Sequence, residues 1–115
     1  MTRTPQEVFA HHGPALGAGD LDEIVTDFAD DAIVITPAGV KHGKDGVREA
    51  FAELLADLPD ATWNLKKQTF ADDVLLLEWA ADAVGARVDD GVDTMVFRDG
   101  QIRAQTVSYT LQGKG

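Results

Sequence analysis

The sequence predicts an α+β fold with helices packed on one face of an antiparallel sheet. Three observations carry this. Apolar residues at helical spacing dominate the first half of the chain. Period-two alternation takes over after Pro59. Asp-Asp and Asp-Gly pairs then punctuate the alternating half as hairpin turns do. With 115 residues and no repeat or linker, the chain is expected to be a single domain, 1–115.

Thr4-Pro5-Gln6-Glu7 reads as a helix start, with threonine as cap, proline at the first helical position and glutamate closing a capping box. Val8, His12, Ala15 and Leu16 share one face of that helix. Pro14 removes a backbone donor inside it, so a kink is expected there, and Gly17 and Gly19 end it. Asp20 caps a second, shorter helix whose apolar residues are Ile24, Val25 and Phe28. Asp30-Asp31 breaks the pattern, and Ala32 to Ile35 is a β-branched strand stopped by Pro37 and Gly39. His42 falls in the following loop. Asp45 caps a third helix in which Val47, Phe51, Leu54, Leu55 and Leu58 form the apolar stripe. Four strands follow, at about 61–70, 73–84, 87–98 and 101–112.

Composition excludes several roles. Ten Lys and Arg against twenty Asp and Glu give a net charge of −10, which disfavours nucleic acid and anionic membrane surfaces. The longest apolar runs are four residues, so no membrane span is expected. There is no cysteine, and the first residues lack the apolar stretch of a signal peptide, so a cytoplasmic protein is expected. Adjacent helical residues differ by roughly 100°, which makes His11-His12 a poor chelate. No metal and no cofactor are expected.

Ala18-Gly19-Asp20-Leu21-Asp22, then Phe28-Ala29-Asp30-Asp31-Ala32, then Pro37-x-Gly39, and later Asp93 through Ile102 resemble the nuclear transport factor 2-like superfamily. Its members include ketosteroid isomerases and polyketide cyclases of the SnoaL-like type. The resemblance covers about residues 5–112. It implies a cone: a curved antiparallel sheet wrapped around the three helices and enclosing an apolar pocket, with homodimers formed through the outer sheet face. Carried over from the isomerases, the aspartate base falls at Thr36, the oxyanion tyrosine at His12 and the protonated acid at or beside Asp93. Threonine cannot take a proton from carbon at neutral pH.

The alternation itself singles out a second set of residues. Asp93, Met95 and Phe97 share one strand face, and the two large apolar residues mark it as the inner one. An acid there is desolvated, which raises its pKa; the alternative is a solvated acid at the strand start. His12 is a ligand contact, a proton carrier or a core histidine satisfied by a neighbour. Trp79 and Trp63 point inward, as core or as pocket wall. In the last strand, Gln105, Val107, Tyr109 and Leu111 are assigned to the inner face, and Ala104, Thr106, Ser108 and Thr110 to the outer one.

The expected function is therefore a small hydrophobic-ligand-binding protein of the SnoaL-like type, extending to isomerase- or cyclase-like general acid–base chemistry on a carbonyl compound. His12 and Asp93 would carry the chemistry. Thr36, Trp63, Trp79, Met95, Phe97, Gln105 and Tyr109 would contact the ligand. The alternative is a non-catalytic binding, dimerisation or scaffold domain. The small hydrophobic molecule and a second copy of the chain are the expected partners.

Overall fold

A computed structural model describes residues 2–114. Helix α1 (Pro5–Ala18) starts on the expected capping box: Thr4 Oγ1 accepts from Glu7 N, and Glu7 Oε1 accepts from Thr4 N. It continues through Pro14 and ends where Gly19 takes a left-handed conformation. Helix α2 (Leu21–Thr26) is capped by Asp20. Strand β1 (Phe28–Thr36) and the short β2 (Gly39–His42) form a hairpin that leads into α3 (Gly43–Asp57). Four further strands follow: β3 (Thr62–Ala71), β4 (Val74–Asp82), β5 (Ala86–Arg98) and β6 (Gln101–Ser108). A two-residue β7 (Gln112–Gly113) returns to pair with the start of β5.

The strand order is β2-β1-β6-β5-β4-β3, an unclosed sheet with helices on its inner face. It is mixed, not antiparallel throughout. β1 and β6 run parallel, with Val34 opposite Gln105 and Ile35 opposite Thr106. Parallel neighbours need a long crossover, and α3 with the four strands β2 to β5 supplies it.

Four local expectations are corrected. Asp30 and Asp31 do not break the pattern but lie inside β1, where an irregularity between Phe28 and Ile33 lets both face solvent. Asp31 is held there by Arg98 at 2.8 Å and Arg103 at 3.3 Å. Phe28 opens β1 instead of closing α2, and it is fully buried. Helix α3 begins two residues before Asp45, which sits in its first turn, and the capping position is held by His42 at the end of β2. The last long strand stops at Ser108, because residues 109–111 leave the ladder before β7.

The hairpin logic is otherwise as expected. Asp99 and Gly100 both have positive φ, as a two-residue turn between β5 and β6 requires. Inward residues of β4, β5 and β6 pack against Val8, Phe9, Phe51 and Leu54 to form one core. No helix among the described residues is long and apolar enough to cross a membrane.

Candidate functional site

Cross-strand pairing builds the buried polar group of the sheet. Asp93 on β5 lies opposite Leu77 of β4 and Val107 of β6. Two residues earlier on the same face is Gly91, opposite Trp79. With no side chain at Gly91, the indole of Trp79 lies flat over that backbone; a Cβ there would stand 2.2 Å from the ring. The indole then reaches Asp93, and Trp79 Nε1 donates to Asp93 Oδ1 at 2.9 Å. From β6, Gln105 Nε2 donates to Asp93 Oδ2 at 2.9 Å. Burial pushes the Asp93 carboxyl up to about 6 despite these two donors, which favour the charged form. Gln105 Oε1 is buried without a partner.

Aromatic contacts carry this group outward. The Trp79 ring lies 5.5 Å from Trp63 and 5.7 Å from Tyr109. Tyr109 donates its hydroxyl to Asp57 Oδ2, at the end of α3, at 2.8 Å. Burial first, then the Asp57 carboxylate, raise the Tyr109 pKa and keep the phenol protonated.

A cavity of about 360 Å³ opens beside this chain of contacts, between α3, the end of β1 and the end of β6. Val34, Ala50, Phe51, Leu54, Val107 and Leu111 supply its apolar wall. Thr36, Glu53, Asp57 and Tyr109 supply its polar atoms. Of the expected site residues, Thr36 and Tyr109 line this cavity. Asp93 stands directly across the strand pair from Val107, one side chain behind the cavity wall. Trp79, Gln105, Met95 and Phe97 are buried in the core, and Trp63 is half-buried against Trp79.

His12 lies on the inner face of α1, fully buried among Phe9, Phe28 and Phe51. Its Nδ1 has no partner. Burial lowers its pKa to about 4, against a smaller opposing pull from Asp27, so the ring is neutral. Phe51 separates it from the cavity, touching the imidazole at 5.5 Å between ring centres while lining the cavity itself.

Two groups escaped the sequence reading. Asp27, which follows α2, is 0% exposed, against 7% for Asp93. Asp27 is therefore the more deeply buried of the two. Asp27 Oδ1 accepts from Arg3 at 3.0 Å and its Oδ2 bonds His11 Nδ1 at 2.7 Å, while His11 Nε2 meets Glu23 at 3.2 Å. The hydrogen bond to Asp27 raises the His11 pKa. Arg3 also donates to Gly100 O, so the cluster pins the chain ahead of α1 to the β5–β6 turn. Its residues come from four separate segments, and no local spacing links them. The second group is Glu53 and Asp57 on α3. They follow Ala50 and Leu54 by three residues each, so they flank the apolar stripe, and that spacing is the signal for their place on the cavity.

The family model described as a SnoaL-like domain matches residues 8–105. No curated protein matches the chain. Among solved structures, the chain is similar to SalBIII, described as an epoxide hydrolase/cyclase-like enzyme in pyran ring formation in the polyether salinomycin. The identity is 20% and the TM-score 0.78, covering 96% of this chain and 95% of that one. It is also similar to an NTF-2 like protein of unknown function from Burkholderia xenovorans LB400, at 20% identity and TM-score 0.78 over 92% and 82% of the two chains. A de novo designed protein with a curved β-sheet aligns at 15% identity and TM-score 0.80, over 96% and 88%. At these identities the likeness shows the fold.

Proposed function

Because the chain belongs to the SnoaL-like domain family, we propose that it binds a small hydrophobic molecule in the cavity between α3, β1 and β6. The observation that carries this is the cavity itself: its volume of about 360 Å³ is that of a small-molecule site, and its wall is apolar with a few convergent polar atoms. The cysteine-free, acidic chain supports a cytoplasmic setting and argues against nucleic acid as the ligand.

The test is binding of the neutral, apolar dye Nile red. Leu111 is half-exposed at the cavity edge, so Leu111→Trp fills space without disturbing the core. Dye binding to the unaltered chain is expected to weaken at least tenfold in this variant, with little change in melting temperature. An unaltered chain that binds no apolar probe would support the scaffold alternative instead.

Asp93 favours a second reading, in which the family's acid–base chemistry persists on a carbonyl compound. A carboxyl with a pKa of about 6 exchanges its proton near neutral pH. It would donate to a developing oxyanion. His12 would be the partner base, neutral and therefore able to accept a proton. In this reading Asp93→Asn abolishes turnover while Leu111→Trp raises KM.

The outer sheet face supports a homodimer. Register aligns Val40, Ile35, Thr106, Thr94 and Leu76 in one row across five strands. Val74 and Val96 pair in the next row, and Val92 lies on the same face. Six of these residues (Ile35, Val40, Val74, Leu76, Val92 and Val96) are exposed large apolar side chains. Leu76→Glu is expected to convert a dimer to a monomer in sedimentation equilibrium. A sedimentation mass of one chain for the unaltered protein would remove this proposal.

A further inference from the structure

We propose that the cavity selects apolar molecules that carry a protonated amine, with Asp57 and Glu53 as the ammonium subsite. This rests on the reading of the cavity as a ligand site. Of the residues lining it, four are polar, and none is Lys, Arg or His. The Tyr109 hydroxyl already donates to Asp57, and Thr36 Oγ1 already accepts from Ala38 N at 3.1 Å. What the cavity offers a ligand is therefore mainly carboxylate acceptors.

Glu53 and Asp57 are four residues apart on α3, so their side chains stand one above the other at the same edge. Glu53 Oε1 is 3.6 Å from Lys41 Nζ, but that amine lies closer to Glu49, at 3.1 Å. Asp57 has no cation within ion-pair distance among the described residues; its partner is the neutral phenol. It is also the last residue of α3, whose final turn holds no basic side chain. The partial negative charge of the helix C-terminus is thus unanswered at the cavity edge. An ammonium there meets two carboxylates and a helix end of favourable sign. A carboxylate ligand meets repulsion from all three, and a neutral hydroxyl gains one hydrogen bond without the charge term. The net charge of −10 adds attraction for cations at a distance.

Three naphthalenes of matched shape separate these cases: 2-naphthylmethylammonium, 2-naphthylmethanol and 2-naphthoate, titrated against the full chain at pH 7 by calorimetry. The expected order is ammonium, then alcohol, then carboxylate, with the ammonium about fivefold tighter than the alcohol, the range of partly exposed ion pairs. That preference should shrink at about 0.5 M salt, where screening is short-ranged. In the Glu53→Gln, Asp57→Asn double variant the ammonium-to-alcohol ratio should fall to about one. Both positions are solvent-accessible and both replacements keep an acceptor, so the fold tolerates them. Binding of the alcohol without preference for the ammonium overturns the ammonium subsite and leaves the cavity reading standing. A preference that survives in the double variant overturns the assignment to these two carboxylates. Failure of all three to bind overturns the cavity reading and this inference together.

Discussion

Gly91→Ala is expected to destabilise the protein by about 3 kcal/mol, the upper part of the range for overpacking a filled core. The conformation is not the reason, since Gly91 sits in a strand without positive φ. The reason is space: the added Cβ would lie 2.2 Å from Cδ2 and Cε2 of Trp79. The indole is a rigid plane with Trp63 and Tyr109 packed against it, so it cannot give way alone. If it shifts, Asp93 loses the Nε1 donor that favours its charged form. The carboxyl would then titrate higher still. For a chain of this size the cost corresponds to a fall of roughly 10 °C in melting temperature. Gly17→Ala is the control. Nothing lies within 4 Å of its added Cβ, and it is helical, so it should stabilise slightly. Equal melting temperatures for the two variants would contradict the close packing of Trp79 on Gly91.

The second large effect is a pH dependence hidden by cancellation. The folded state raises the Asp93 pKa from 3.8 to about 6, so between those values it holds a proton that the unfolded chain has released. Its contribution to stability therefore falls as pH rises through this window. His12 does the reverse. Its pKa drops from 6.5 to about 4, so between those values the unfolded chain holds the extra proton, and stability rises with pH. The two shifts are of similar size, each worth about 3 kcal/mol over its full range. Between about pH 4.5 and 6 they oppose each other.

The unaltered chain should thus show a nearly flat contribution from this pair. Asp93→Asn should uncover the His12 slope, gaining about 2 kcal/mol of stability relative to the unaltered chain from pH 4.5 to 6. The asparagine fits the site: its carbonyl accepts from Trp79, and a flipped Gln105 offers the Oε1 that now lacks a partner. His12→Leu should uncover the Asp93 slope and lose a similar amount. It replaces a buried ring with an unpartnered Nδ1 by an apolar group, a change the aromatic surroundings accept. Urea unfolding at several pH values reads both. Variant curves that run parallel to that of the unaltered chain would mean the two groups titrate normally. Raised His11 and the lowered carboxylates of Glu7, Asp31 and Asp90 are common to all three proteins and drop out of the differences.

Local rules made much of this legible in advance. The Thr4 capping box, the Asp99-Gly100 turn and the alternation of Asp93, Met95 and Phe97 involve residues within a few positions of one another, and the structure contains each as expected. The alternation also placed Gln105 and Val107 on the buried face. It failed where the ladder is irregular. The offset near Phe28 turns two consecutive acids outward, which a strict period of two reads as the end of an element.

The candidate site was half legible for the same reason. Thr36 and Tyr109 fell on the cavity, while Met95 and Phe97 fill the core behind it, because alternation tells inside from outside but not wall from centre. Asp27 with Arg3 and His11, the parallel pairing of β1 with β6, and the turn of α3 that brings Glu53 and Asp57 to the cavity depend on long-range packing. The amino-acid sequence by itself determined the element types, the hairpin turns, the inward face of β5 and the excess of negative charge, because each follows from spacing or sum. Only the tertiary structure decided where that charge acts. Two of the acids on the helix face border an apolar cavity as well as open water, and the register that closes the cavity is set by strands distant in the chain.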